Sequence, residues 1–264
     1  MTLATAIHCF DLEWQVLKFC VVIPVYDHEH AIGAVVAAVL AHKVPCILVD
    51  DGSSAGCAQK LDSLLAEVAD PSQLKLLRLN VNSGKGAAVL AGFTYAASEG
   101  YTHVLQVDAD GQHCTADIPQ FLAAAAKQPE AIIAGCPVFD ESVPKIRLYA
   151  RYLTHIWVWI NTLSFDIKDS MCGFRAYPVA AVMELIAHQK IGARMNFDTD
   201  ILVRLYWQGL DVVNLPTRVT YPSDGVSHFR VWFDNVLITR MHIILFFGML
   251  LRIPRLLVRK MNRR

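Results

Sequence analysis

The chain has 264 residues, 54% of them apolar, and a mean hydropathy of +0.36, which allows one large α/β domain with an appendage and more apolar surface than water alone would face. Net charge is zero, but residues 1–224 carry 16 basic against 23 acidic side chains and residues 225–264 carry 8 against one, so an acidic body (−7) ends in a basic tail (+7). Seven cysteines, an odd number with no C-x-x-C pair, favour a reducing cytosol over a disulfide framework.

The first 18 residues form an N-terminal extension with no basic-then-apolar leader, so no signal peptide is expected. Phe19–Val25 predicts a buried strand, Ala31–His42 a helix, and Cys46–Val49 a second strand stopped by Asp50-Asp51-Gly52-Ser53. Ala58–Ala69 predicts a helix and Leu74–Leu79 a third strand, followed by the loop Asn80–Gly86. Ala87–Ser98 predicts a helix, and His103–Val107 a fourth strand that runs into Asp108-Ala109-Asp110-Gly111. Further on, Ile132–Gly135 predicts a strand, Arg147–Leu163 an apolar helix and Asp169–Ala176 a polar loop. Val179–Ala187 and Thr199–Gln208 predict helices, and Asp211–Leu215 a strand. Strand, acidic or glycine loop, helix, repeated, is the pattern of a parallel sheet covered on both faces. Ligands bind at the carboxyl ends of such strands, where each polar motif falls.

Asp108-Ala109-Asp110 places two carboxylates at one strand end, where they can share a hard cation such as Mg²⁺ with substrate phosphates. That cation would stabilise a departing diphosphate, and Gln112 stands ready to add an oxygen ligand or a hydrogen bond. The other reading is a helix cap in a solvated turn. Asp51 can accept hydrogen bonds from a base or ribose, although Asp-Gly is also the common composition of a turn. Asn82–Gly86, with Lys85 and a helix start behind it, reads as an anion cradle, and its spacing fits neither a P-loop nor a dinucleotide fingerprint.

Ile23-Pro24-Val25-Tyr26, Val49–Ser53, Asn82–Gly86, Val107–His113 and Asp169–Arg175 occur in that order. The set resembles family 2 of the inverting glycosyltransferases, with the GT-A fold. Over roughly residues 19–222 it is similar to the polyprenyl-phosphate sugar synthases typified by dolichyl-phosphate mannose synthase. The resemblance implies that Pro24, Tyr26, His28, Val49, Asp51, Lys85, Asp108, Ala109 and Asp110 contact the nucleotide-sugar. It also implies that Asp108 and Asp110, with Gln112, hold Mg²⁺ or Mn²⁺, and that Ser170 and Arg175 meet an acceptor phosphate. Two positions depart from the family: Asp27-His28 stands for Asn-Glu, and Cys172 for the Ser before Gly173. Related transferases often carry a base where Asp198 and Asp200 open a helix; charge complementing the helix dipole explains the same pair. His228 reaches the diphosphate if the tail folds over the site.

Val231–Leu251 is apolar but contains Asp234, Asn235, Arg240 and His242, which makes it a poor membrane span. Arg252, Arg255, Arg259, Lys260, Arg263 and Arg264 follow, and Pro254 divides two helices. Apolar residues followed by a basic cluster predict a helix lying in the interface of an anionic membrane; packing on the core or a dimer interface is the alternative. The acidic body argues against nucleic acid. Arg147–Leu163 is either a second interfacial element or core.

The expectation is therefore a GT-A domain over 19–224 with a membrane-associating tail over 225–264, peripheral on the cytoplasmic face. It would transfer a hexose from a nucleotide-sugar to a lipid acceptor, preferably polyprenyl phosphate. The alternatives are a hydroxyl of another lipid or pigment-like acceptor, and an inactive membrane-bound nucleotide-binding scaffold.

Overall fold

The computed structural model describes residues 16–139, 145–220 and 228–262. Most of the N-terminal extension, Cys9, the loop before His228, and Arg263 and Arg264 lie outside the described residues. In chain order the elements are β1 (Phe19–Val25), α1 (Ile32–Leu40), β2 (Cys46–Asp50), α2 (Ala55–Glu67), β3 (Leu74–Arg78), α3 (Lys85–Ser98), β4 (His103–Gln106) and α4 (Ile118–Lys127). They continue with β5 (Ile132–Phe139), α5 (Lys145–Thr162), β6 (Arg175–Pro178), α6 (Val179–His188), α7 (Phe197–Gln208), β7 (Val212–Val219), α8 (Val231–Leu250) and α9 (Ile253–Asn262).

The strands form one sheet in the order β3-β2-β1-β4-β6-β5-β7, parallel except for β6, which pairs antiparallel with both neighbours. Strand side chains alternate between faces, so β1 sends Cys20 and Val22 into one core and Val21, Ile23 and Val25 into the other. The first core is closed by α3, α6, α7 and α8, the second by α1, α2 and α4. Each fully buried Ile, Leu or Phe contributes about 1.5–3 kcal/mol, which is why the strands read as continuous apolar runs.

Two elements depart from the sequence expectation. β6 continues a segment read as a polar loop, because four residues that begin with Arg175 and end with Pro178 carry no visible periodicity. α4 was not foreseen; its Pro119 falls in the first turn, where proline is compatible with a helix.

The C-terminal helices differ more. α8 is one unbroken 20-residue helix, long and apolar enough to cross a membrane by length and composition. Two of the polar residues that argued against this, Asp234 and His242, are buried against the protein. Asp234 accepts the Arg230 N–H at 2.7 Å, and His242 lies 3.5 Å from Asn161. Met241, Leu245 and Met249 pack into the core, whereas other apolar residues face outward: Trp232 is 88% exposed, Phe247 62% and Leu251 84%. The basic cluster is also divided. Arg259 bonds the Tyr206 and Leu210 carbonyls and Asp211, and Arg252 stacks on Trp207 at 4.6 Å, so both anchor the tail to α7 rather than face lipid. Arg255 and Lys260 remain exposed.

Burial pulls the His242 pKa from 6.5 down to about 4, so the folded protein keeps this ring neutral. Between those values the unfolded chain binds a proton that the folded chain refuses. Stability is therefore expected to fall as pH drops from 6.5 towards 4 and to level off below. Thermal melts across that range check this, and His242→Gln should flatten the slope.

Candidate active site

β1, β2, β3 and β4 are parallel, so their carboxyl ends share one edge of the sheet. β6 is antiparallel, so its start lies at that same edge and brings Cys172-Gly173-Phe174 beside Asp108. A Cβ on Gly173 would lie 2.6 and 2.7 Å from the Asp108 carboxylate oxygens, so only glycine lets the two segments meet.

Lys85, at the first position of α3, joins two acids. Its Nζ lies 2.7 Å from Asp198 Oδ2 and 2.9 Å from both Asp108 oxygens. It donates to Asp108 Oδ2, while the buried Oδ1 is ion-paired with the same ammonium and takes no hydrogen bond among the described residues. His113 Nε2 adds a 3.3 Å contact to Oδ2, its ring stacked on Phe174. Gln106 Nε2 donates to Asp198 Oδ1 at 3.0 Å. Burial opposes both charges, but attraction prevails: Lys85 and His113 hold the Asp108 carboxyl well below the usual range, and Asp108 and Asp198 hold the Lys85 ammonium well above its own. Asp110 is more lightly engaged; among the described residues its one hydrogen bond comes from the Gln112 N–H to Oδ1, at 3.0 Å. Two adjacent carboxylates at one strand end, Asp110 lightly bound and Asp108 charge-paired with Lys85, suit a hard divalent cation such as Mg²⁺ or Mn²⁺.

The expected anion cradle is already filled from within. Asp51 accepts the Ser83 N–H at 2.7 Å and the Gly84 N–H at 2.8 Å, and the Ala193 carbonyl accepts the Ala87 N–H at 3.0 Å. Gly84 meets this geometry with φ of +102°. Asp51 is thus the anion at the start of α3, with its carboxylate turned to the loop and only 2% exposed. Arg194 faces Asp51 and donates to Asn82 Oδ1 at 3.1 Å, tying the loop before α7 to the same place.

The acid pair of α7 divides. Asp198 points to Lys85, whereas Asp200 accepts the Gly192 N–H at 2.8 Å and Arg204 Nε at 2.5 Å and is turned away from the site. Ser170 and Arg175, the residues expected at an acceptor phosphate, are both fully buried. The Thr199 hydroxyl donates to the Ser170 carbonyl at 3.1 Å and its oxygen lies 3.3 Å from the Ser170 hydroxyl, while Arg175 donates to the Asp198 carbonyl. Cys172 is buried too, its thiol pushed up to about 12 by burial, so that departure from the family lies beneath the surface.

Tyr26 and His28 are half-buried at the mouth, and His228 packs edge-on against both, with ring centroids 5.0 Å apart in each pair. The start of the C-terminal segment therefore does return to the site. Pro24, Val49 and Ala109 are buried in the floor behind. Several residues were missed: Gln106 and His113, and the Asp169 cluster. Asp169 takes both Arg151 Nε (2.5 Å) and Nη2 (2.8 Å), with His155 Nε2 at 3.4 Å, and locks α5 to the loop before β6. Arg151 and His155 are four apart on one helix face, a spacing that was visible, but their partner is distant in sequence.

A mostly parallel sheet with two aspartates at its carboxyl edge, countered by a lysine from the next helix, is the arrangement of a GT-A nucleotide-sugar transferase. The profile described as Glycosyl transferase family 2 matches residues 20–183, and the chain belongs to that family; it is a glycosyltransferase. It is 29% identical over 221 residues to polyprenol monophosphomannose synthase of Mycolicibacterium smegmatis, covering 78% of this chain and 79% of the relative. It is 25% identical over 217 residues to undecaprenyl-phosphate mannosyltransferase of Micrococcus luteus, covering 80% and 87%. Among solved structures, glucosyl-3-phosphoglycerate synthase from Mycobacterium tuberculosis, in complex with Mn²⁺ and UDP-glucose, superposes with a TM-score of 0.64. That likeness has 14% identity over 88% of this chain and 79% of the other, and shows the shared fold.

Proposed function

We propose that the enzyme moves a hexose from a nucleoside-diphosphate sugar to a polyprenyl phosphate at a membrane surface, with inversion. The observation that carries this is the junction of the charged site with an apolar platform. α5 exposes Tyr152, Leu153 and Ile156, α8 packs beside it with Trp232 and Phe247 outward, and Arg151 of α5 grips the loop that walls the site. A polar donor and a lipid acceptor approach one place from two sides. The names of the two relatives above agree.

Asp108 and Asp110, with Gln112 beside them, would hold a divalent cation, which would supply Lewis-acid stabilisation of the departing diphosphate. Tyr26 and His28 line the donor pocket over Pro24, Val49 and Ala109, and Asp51 fixes the loop that carries Lys85. A phosphate acceptor is already ionised and needs no general base. Asp198, paired to a lysine, serves to aim Lys85. The apolar platform and the exposed Arg255 and Lys260 favour an anionic, cytoplasmic leaflet.

Incubation with a panel of labelled nucleotide-sugars, polyprenyl phosphate and Mg²⁺ or Mn²⁺ tests this: one donor should put chelator-sensitive label into organic-extractable lipid. Label that stays in water with every donor would refute the lipid acceptor. The surface makes a separate prediction. Changing Trp232, Phe247 and Leu251 to Ser should lower partitioning into vesicles of mixed zwitterionic and anionic phospholipid by about tenfold or more per side chain, at unchanged melting temperature. Vesicle flotation measures it.

A further inference from the structure

We infer that Gln106 and Arg175, opposite each other across β4 and β6, are the device that positions Asp198, and that Arg175 acts from inside the protein rather than on the acceptor. The strand register pairs these two residues directly, and both are 0% exposed. Gln106 Nε2 holds Asp198 Oδ1 at 3.0 Å. Arg175 Nη1 holds the Asp198 main-chain carbonyl at 2.5 Å and the Tyr177 hydroxyl at 3.4 Å. Lys85 takes the remaining carboxylate oxygen at 2.7 Å. Side chain and main chain of Asp198 are thus fixed from β4, β6 and α3 at once.

A buried cation is costly unless it is compensated. Burial works against the Arg175 charge, and Tyr177 and Asp198 beside it more than offset that. Reaching this guanidinium from solvent would require α7 to leave its seat, because Asp198 and the flanking strands cover it. Nη1 alone makes both contacts, to the carbonyl and to the phenol, while Nε and Nη2 are buried and have no hydrogen-bond partner among the described residues. What the pair controls is the direction of Lys85, which Asp198 shares with Asp108. This rests on Asp198 as the partner of Lys85 in the donor site and not on the identity of the acceptor.

The test compares full-length wild type, Arg175→Lys, Gln106→Met, Asp198→Asn and the double variants with Asp198→Asn. Two readouts are taken: nucleoside diphosphate released from the nucleotide-sugar without acceptor, and kcat with acceptor KM for polyprenyl phosphate. Either single variant should slow both reactions by about 10–100-fold with acceptor KM unchanged to within about twofold, and should cost little more once Asp198 is Asn. A raised acceptor KM with release intact would make Arg175 an acceptor ligand and overturn the inference, as would losses that simply add. If Arg175→Lys does not fold, Gln106→Met and its double variant decide on the same readouts. Release needs no lipid, so wild-type release without lipid label would sink the polyprenyl-phosphate reading while leaving this comparison intact.

Discussion

Asp110→Ala is expected to abolish sugar transfer while leaving the fold as it was. Asp110 lies at the edge of the site, and among the described residues its carboxylate takes one hydrogen bond, from the Gln112 N–H. Losing that bond costs about 0.5–1.5 kcal/mol of stability. Removing a group that stabilises developing charge costs about 10²–10³-fold in kcat, and loss of a shared cation would exceed that. Asp108→Ala is a poorer experiment, because it strips Lys85 and His113 of a common partner. Lys85 would keep Asp198, but breaking the buried charge pair with Asp108 is destabilising in itself, so lost activity would be confounded with lost fold. Nucleoside diphosphate release, Mn²⁺ titration and a melting curve on Asp110→Ala separate the two. Normal Mn²⁺ binding with normal turnover would remove Asp110 from the site.

Gly173→Ala should cost nearly as much through a single methyl group. The added Cβ would stand 2.6 Å from Asp108 Oδ2, 2.7 Å from Oδ1 and 2.9 Å from Cγ, closer than non-bonded atoms approach. Asp108 cannot yield freely, since Lys85 and His113 hold it. Overpacking of this kind costs about 1–3 kcal/mol, and a displaced catalytic carboxylate costs about 10²-fold in rate. Steady-state kinetics beside a melting curve check it; a variant with wild-type kcat would show that the position of Asp108 does not matter.

The first half of the molecule was legible because each buried parallel strand is an apolar run followed by its own polar loop. Asp51, Lys85, Asp108 and Asp110 all lie at strand ends and were readable as a set. Their division of labour was not. Asp51 accepts two amides more than 30 residues away, a tie that no local pattern shows. Arg175 looks like a surface cation because nothing local shows that its four-residue strand is inserted between β4 and β5. Asp198 and Asp200 are indistinguishable at the start of a helix, and only the positions of Lys85 and Arg204 separate them. In α8, Asp234 and His242 counted against a membrane span until their inward orientation was known.

The most direct measurement offers one labelled nucleotide-sugar donor to polyprenyl phosphate and to the corresponding polyprenol, side by side, with Mn²⁺ and with Asp110→Ala as control. Label in the phosphate alone, lost in the variant, is the predicted result, because the site holds a lysine-paired Asp198 and no free base is required. Label in the polyprenol, or equal label in both, would contradict a phosphate acceptor and return Asp198 to the role of a base.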